Sequence, residues 1–174
     1  MTTDALGIQG IALVELFDKD GNLKFSEEIH NLVTDIGDEY YAKKAIVGVA
    51  PANATAPTAI SGMKLGTGVT AAAKSGAGAA LGTYISGSNS AFDTSFPSTE
   101  NLGGGLGWNA IYKCTWAEGD STNAAITEAV IVNDSATDAT STAANTYARI
   151  TFTAVNKTAT DSLVITWKHK FLGA

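Results

Sequence analysis

Large apolar and polar side chains alternate along the C-terminal third of the chain with a period of two residues. The alternation covers residues 108–116, 126–133, 147–155 and 163–171, which are separated by Gly, Asn, Asp and Ser residues. This period puts alternate side chains on opposite faces of a strand, so the segments predict an antiparallel sheet with one face in a core. The same-face sets are Trp108, Ala110, Tyr112, Cys114 and Trp116; Ile126, Glu128, Val130 and Val132; Ala148, Ile150, Phe152 and Ala154; and Leu163, Ile165, Trp167, His169 and Phe171.

Two further segments near the N-terminus flank a short polar turn. Residues 8–17 and about 23–29 predict strands, and residues 18–22 between them read Asp-Lys-Asp-Gly-Asn. Asp, Asn and Gly residues between two such segments are typical of a tight turn, so this part of the chain predicts a β-hairpin.

Residues 31–47 predict a helix. Thr34 or Asp35 can cap its N-terminus, and the acidic residues that follow complement the positive end of the helix dipole. Lys43 and Lys44 lie near its other end, where positive charge is favourable. The stripe that would dock the helix on a sheet consists of Ile36, Tyr40 and Val47, with the stem of Lys43.

The middle of the chain, residues 49–99, is dominated by Ala, Gly, Ser and Thr. Residues 63–68 predict one short strand that runs into a turn, and the glycines of residues 71–82 favour a loop over a helix. A total of about six or seven strands predicts a mostly β, antiparallel β-sandwich, jelly-roll or immunoglobulin-like. One short helix and long Gly/Ala/Ser-rich loops complete it. We expect residues 1–174 to form a single domain, with residues 1–7 as a candidate N-terminal arm.

The charge balance argues against two classes of partner. The chain has 11 Lys and Arg residues against 17 Asp and Glu residues, a formal net charge of −6. Such a chain has no basic field that would attract nucleic acid or an anionic membrane surface. The close basic pairs, Lys43 with Lys44 and Lys168 with Lys170, are interpreted as solvated surface. The sequence predicts neither a secretory signal nor a membrane span, so we expect assembly in a cytoplasm.

No group of side chains has the spacing of a catalytic, cofactor or metal site. Asp18, Asp20 and Glu27 fit part of a calcium loop, but Leu16 stands where the first carboxylate is needed. A hairpin turn with solvated acids is the favoured interpretation. The single cysteine, Cys114, lies in mid-strand and is predicted to be a buried, inert thiol.

The remaining candidate groups also have structural interpretations. His30 and His169 lack a paired ligand motif, and His169 is predicted to be a core or interface histidine. The glycine clusters match no phosphate-binding loop and are interpreted as flexible loops or close subunit contacts; they are Gly66-Thr67-Gly68, Gly76-Ala77-Gly78 and Gly103-Gly104-Gly105. Some aromatic residues could form a carbohydrate platform, although alternating aromatics in strands favour a core position; they are Trp108, Trp116, Trp167, Tyr40, Tyr41, Tyr112 and Tyr147.

Three groups of segments resemble a family of small bacteriophage virion proteins, labelled decoration, cement or tail-fibre-like proteins. The first is residues 31–38, Asn-Leu-Val-Thr-Asp-Ile-Gly-Asp. The second is residues 65–73, followed by Ala-Leu-Gly-Thr at 80–83. The third is Ile-Thr-Glu-Ala in residues 125–133, continued by Ala-Arg-Ile-Thr-Phe within 147–157 and Asp-Ser-Leu-Val-Ile-Thr-Trp at 161–167. Residues 87–107 depart from the family's pattern, since they are longer and richer in Ser and Gly.

The resemblance implies a β-sandwich virion component with no catalytic residues to carry over. We expect a capsid decoration (cement) protein that binds the outer surface of the major capsid shell, as a homotrimer at three-fold positions. Residues 1–7 and the loops within 49–107 are the candidate contacts. The alternative is a tail, baseplate or tail-fibre component that contacts a host receptor, and an enzyme is the least favoured class. Low charge and abundant Thr, Ser, Ala and Gly suit close-packed subunit interfaces.

Overall fold

The computed structural model describes residues 8–47 and 58–171, which form nine strands and one α-helix. The candidate arm, residues 1–7, lies outside the described residues. The strands are β1 (Gln9–Phe17), β2 (Leu23–Val33), β3 (Gly62–Gly66), β4 (Ser90–Ala91), β5 (Ser98–Asn101), β6 (Trp108–Trp116), β7 (Asn123–Val132), β8 (Thr146–Lys157) and β9 (Ser162–Phe171). The helix α1 spans Asp35–Ile46, and a short 3₁₀ helix spans Gly76–Ala79.

Neighbouring strands pair antiparallel in the order β4-β3-β7-β8-β2-β1-β9-β6-β5. β2 joins the two halves of this sheet, because it pairs with β1 along most of its length but with β8 only at Leu32 and Val33. Trp116 of β6 donates from Nε1 to the carbonyl of Ser88, just before β4, at 2.8 Å. The two ends of the sheet thus approach each other, and the sheet curls into a half-barrel. The mostly β, antiparallel class is confirmed, while the finer jelly-roll or immunoglobulin-like sandwich is not.

Thr34 lies between the end of β2 and the start of α1. β2 continues to Val33, beyond the predicted end at Ile29, because its last residues pair with β8. The Thr34 backbone N–H donates to the carbonyl of Tyr147 at 3.0 Å, and its hydroxyl accepts from the backbone N–H of Gly37 at 3.1 Å. The helix therefore starts at Asp35, later than the predicted residue 31, with Thr34 as its N-cap.

The helix α1 docks on the sheet through two residues of the predicted stripe. Ile36 and Tyr40 pack against the main core, and the Tyr40 ring meets the Tyr147 ring edge-on with centroids 5.0 Å apart. Val47 is exposed because the helix ends at Ile46. Lys43 is also exposed, and its ammonium pairs with the Glu39 carboxylate on the solvent side of the helix. In the described part of the chain, no helix has the length and apolar character needed to cross a membrane.

The inner faces of β6 and β9 confirm the predicted alternation. Tyr112, Cys114 and Trp116 of β6 are buried in the main core. The buried residues of β9 are Leu163, Ile165, Trp167 and His169. Trp108 belongs to the same predicted set but is 51% exposed, because it is the first residue of β6 and lies where that strand leaves the core.

β7 contains an irregularity that the predicted alternation did not include. Its register with β8 shifts between Ile126 and Glu128, so Ile126 packs in the main core while Glu128 lies on the opposite face. After the shift, Ala129 and Ile131 face the core, and Val130 and Val132 face outward. On β8, Val155 is buried and the predicted Ala154 is exposed. Between the Ile126–Val155 and Glu128–Thr151 pairs, β8 contains two residues more than β7, and the side chains of both strands change face across this irregularity.

The outer face of β3, β7 and β8 is covered by loops, residues 67–89 and 133–145, which we call the loop layer. Leu81 and Tyr84 of the first loop pack on the outward-facing valines of β7 in a second hydrophobic cluster. β3 is buried along its whole length as a result. Among the described residues, the outer face of β1, β9 and β6 carries no comparable layer.

Candidate functional site

A fully buried ion pair lies between β7 and the loop layer. Glu128 and Arg149 have no exposed side-chain surface, and Nη2 and Nε of Arg149 donate to Oε2 of Glu128 at 2.8 and 3.0 Å. Glu128 occupies this outward position because of the register shift in β7. A buried ion pair is stable only when its remaining hydrogen-bonding groups are also satisfied.

The loop layer supplies those remaining partners. The Glu128 carboxylate accepts the backbone N–H groups of Gly68, Gly82 and Thr83 at 2.7, 2.9 and 2.9 Å. Arg149 donates from Nη1 to the carbonyl of Gly78 at 3.2 Å. The ion pair therefore fixes the glycine-rich loop on the sheet. Its two residues lie in the Ile-Thr-Glu-Ala and Ala-Arg motifs, which the sequence singled out without this role.

Two of the glycines are required by the carboxylate. A Cβ atom on Gly66 or Gly68 would lie 2.4 Å from Oε1 of Glu128, well inside a normal contact. The Gly66-Thr67-Gly68 cluster thus wraps a protein carboxylate, which explains its composition without a phosphate ligand.

Lys64 and Asp138 hold the rest of the loop layer. The buried Lys64 ammonium donates to the carbonyl of Ala139 at 2.8 Å and lies 5.7 Å from the centroid of the Tyr84 ring. Asp138 accepts from the hydroxyl of Tyr84 at 2.6 Å and from the backbone N–H of Gly87 at 2.8 Å. The Tyr84 hydrogen bond is the main reason why the pKa of Asp138 is lowered. Lys64 thus attaches a loop to the sheet, and Asp138 attaches the two loops to each other.

His169 belongs to a buried polar cluster in the main core. Its Nδ1 contacts the hydroxyl of Tyr41, which lies 2.9 Å from the hydroxyl of Tyr112, and its Nε2 lies 3.0 Å from Nδ2 of Asn31. Burial lowers the pKa of His169 to about 3. His30 is exposed on the outer side of β2, so the two histidines do not converge. The prediction of a core histidine at position 169 is confirmed.

The acidic residues of the candidate calcium loop accept hydrogen bonds from different parts of the chain. Asp18 accepts the backbone N–H groups of Asp20 and Asn22 at 2.9 and 2.8 Å, and the side-chain hydrogen bond from Asn22 is the main cause of its lowered pKa. Glu27 instead accepts the backbone N–H of Thr153 on β8 at 2.9 Å. Within residues 8–47 and 58–171, no three His, Cys, Asp or Glu side chains are grouped as metal ligands.

Cys114 lies in the core, as predicted. Its thiol lies 3.3 Å from the carbonyl oxygen of Ala91 and has no exposed surface. Burial raises the pKa of the thiol to about 12, which suppresses the reactive thiolate.

The hairpin tip, residues 102–107 between β5 and β6, presents large apolar side chains. Four glycines allow its shape through positive φ angles of 68, 56, 78 and 99°; they are Gly103, Gly104, Gly105 and Gly107. Leu106 is 59% exposed, and Trp108, which follows the tip, is 51% exposed. Contiguous exposed apolar patches mark interaction sites, and Leu106 and Trp108 are the candidate members of such a patch here.

A groove of about 160 Å³ adjoins the hairpin tip on the outer face of the sheet. Its lining residues are Gln9, Ile11, Leu102, Asn109, Lys168 and Lys170. The larger aromatic platform considered for carbohydrate does not form, because Trp116, Trp167, Tyr112 and Tyr147 are buried. Tyr40 and Tyr41 are half-buried, and Trp108 is the exposed member of that set.

Comparison with known proteins gives no relative for this arrangement: no family model, no curated protein and no solved structure matches the chain.

Proposed function

We propose that this chain is a non-enzymatic structural protein of a bacteriophage particle, a capsid decoration (cement) protein that binds the outer surface of the major capsid shell. The observation that carries the proposal is the exposure of Leu106 on the glycine-built hairpin tip and of Trp108 directly after it. Burying such side chains against a protein surface is favourable by about 25 cal/mol per Å² of apolar area. The resemblance of the motifs around Glu128 and Arg149 to virion proteins gives the proposal its class.

Further features support this role. The buried charges Lys64, Glu128 and Arg149 attach loops to the sheet, which favours a rigid binding module over a catalytic centre. The net charge of −6 suits the exterior of a particle better than its DNA-facing interior. The proposed partner is the major capsid protein, with a homotrimer at three-fold positions as the expected assembly and neither nucleic acid nor membrane as a ligand. A two-layer β-sandwich remains the proposed finer class, supported by the two halves of the curled sheet around one core.

The test is quantitative mass spectrometry of purified virions of the phage that encodes the chain, with the major capsid protein as internal reference. A decoration protein is expected in hundreds of copies, at a ratio close to equimolar or close to one trimer per three-fold position. Heating of particles made without the protein would then release DNA at a lower temperature. A few copies per particle would contradict the decoration role.

The second candidate is a tail, baseplate or tail-fibre protein that contacts a host receptor. Trp108 favours it, because an exposed indole beside a groove with amide and ammonium donors is suited to stacking on a sugar ring. A glycan-binding screen with the wild-type chain and Trp108→Ala tests this candidate. Binding that depends on Trp108, together with a low copy number, would replace the decoration proposal.

A further inference from the structure

An amine, a carboxylate and an amide meet at one end of the loop layer, where β7 ends and β8 begins. Lys64 of β3 has no exposed side-chain surface, and its Nζ lies 3.2 Å from Oδ1 of Asp134, which follows β7. Oδ2 of the same carboxylate accepts from Nδ2 of Asn145, the residue before β8, at 2.5 Å. One carboxylate therefore contacts both a buried amine and a side-chain amide.

The amide of Asn145 is also held through its oxygen. Its Oδ1 accepts the backbone N–H of Thr142 at 2.6 Å. A backbone N–H in this position stabilises negative charge that develops on a carbonyl oxygen, as in an oxyanion hole. The carbonyl group is thus polarised by one donor, while its nitrogen faces a carboxyl group that can exchange protons with it.

The Asp134 carboxylate has an unsatisfied oxygen toward Lys64. Its Oδ1 is buried and has no hydrogen-bond partner among the described residues, although Nζ of Lys64 lies within ion-pair distance. Nζ donates instead to the carbonyl of Ala139 at 2.8 Å. Leaving a buried polar atom unpaired is costly, so the arrangement calls for a role beyond the attachment of a loop.

We propose that Lys64 and Asn145 form an intramolecular isopeptide bond, with Asp134 as the group that transfers protons. The Lys64 ammonium gives one proton to the Asp134 carboxylate and becomes a nucleophilic amine. Its nitrogen attacks Cγ of Asn145, and the bond between Cγ and Nδ2 breaks. Nδ2 takes the proton held by Asp134 and the second proton of the attacking nitrogen, and it leaves as ammonium. Asp134 is then a carboxylate again, and the reaction occurs once in each chain.

The packing of the three groups favours this reaction. Lys64 has a flexible four-carbon stem, so the step requires its end to turn from the carbonyl of Ala139 along the Asp134 carboxylate to Asn145. Holding the two reacting groups beside one acid–base group replaces an encounter in solution with a local movement. The bond would join β3 to the start of β8 across β7, which lies between them in the sheet. This inference goes beyond the proposed function and does not depend on it.

The experiment is mass spectrometry of the purified, denatured full chain. The inference predicts a mass below that of the sequence by one ammonia, about 17 Da. Trypsin should then release residues 45–74 joined to residues 114–149, because the modified Lys64 is no longer cleaved. Fragmentation of this joined pair locates the bond at Lys64 and Asn145.

Three variants test the assigned roles. Lys64→Arg removes the nucleophile and Asp134→Asn removes the proton transfer, so each should have its full sequence mass. The matched control is Asp138→Asn, which changes an acid of the same loop that accepts from Tyr84 and Gly87. This control should keep the deficit of about 17 Da. The peptide map of the wild-type chain decides the question even where a variant fails to fold.

Several results would overturn the inference. One is a wild-type chain of full sequence mass that trypsin cleaves at Lys64. Another is a loss of about 18 Da located at Asp134, which would show condensation of the carboxyl group with release of water. A third is a loss of about 17 Da that persists in Lys64→Arg, which would show that an asparagine has cyclised on its own backbone. None of these results bears on the copy number in virions, so the proposed function is decided separately.

Discussion

Glu128 and Arg149 lie on the neighbouring strands β7 and β8 with no exposed surface, joined by two hydrogen bonds of 2.8 and 3.0 Å to one carboxylate oxygen. Three backbone N–H groups of the loop layer complete the shell of the carboxylate. This one pair therefore links the sheet to the loop that crosses its outer face. The glycine-rich composition of that loop follows from the need to approach the carboxylate closely.

Removing the charge of Glu128 should destabilise the protein strongly. Glu128→Gln leaves the Arg149 guanidinium buried without its counter-charge, and losses of this kind are about 3–5 kcal/mol in unfolding free energy. Urea denaturation followed by tryptophan fluorescence measures the loss. The control Glu39→Gln breaks the exposed pair with Lys43 and should cost less than about 0.5 kcal/mol. Equal, small losses in both variants would contradict the role assigned to the buried pair.

Two glycines of the loop layer should respond differently to the same substitution. A Cβ atom on Gly68 would lie 2.4 Å from Oε1 of Glu128, whereas on Gly82 its nearest neighbour is the Cα of Gly68 at 3.3 Å. Gly68→Ala should therefore lower the unfolding free energy by about 1–3 kcal/mol, as overpacking does, and Gly82→Ala should lower it less. Thermal unfolding of both variants compares them directly. A larger loss in Gly82→Ala would show that loop flexibility, rather than contact with the carboxylate, decides the cost.

Part of the fold could be predicted because its signals are local and continuous. The unbroken alternation of β9 from Leu163 to His169 and the Thr34 cap each depend on nearby residues. The shift between Ile126 and Glu128 could not be predicted, because a count with period two contains no information about where one strand of a pair holds more residues than the other.

The candidate site likewise has features that the sequence predicts and features that it does not. The alternation of the sequence places Glu128 on the face of Ile126, yet a carboxylate in a row of apolar residues is a usable signal for a buried ion pair. Its partner Arg149 lies on a strand whose pairing with β7 only the folded chain reveals. The exposure of Trp108 depends on where the sheet ends, which a periodic pattern does not specify.

His169 should make stability depend on pH below neutrality. Burial lowers its pKa from 6.5 to about 3, so the unfolded chain binds more protons than the folded chain between these values. The unfolding free energy is therefore highest above pH 6.5 and falls as the pH decreases, with a slope approaching about 1.4 kcal/mol per pH unit for one proton. His169→Gln should flatten the dependence between pH 7 and pH 4.5, measured by urea denaturation. Asp161, whose pKa is lowered from 3.8 to about 2 in the folded chain, contributes equally in both proteins, so the difference between the two slopes reports His169. Identical slopes in both proteins would exclude His169 as the cause.

Trp108 should matter for binding to the shell and little for folding. Its side chain is half exposed, so Trp108→Ala should change the unfolding free energy by less than about 1 kcal/mol. A buried aromatic anchor at an interface is worth about 2 kcal/mol or more, so binding to particles that lack the protein should weaken by about 30-fold. Co-sedimentation of the purified variants with such particles measures this affinity. Leu23→Ala, which trims an equally exposed apolar side chain at the start of β2, should bind like the wild type. If Trp108→Ala binds as tightly as Leu23→Ala, the hairpin tip is not the contact with the shell.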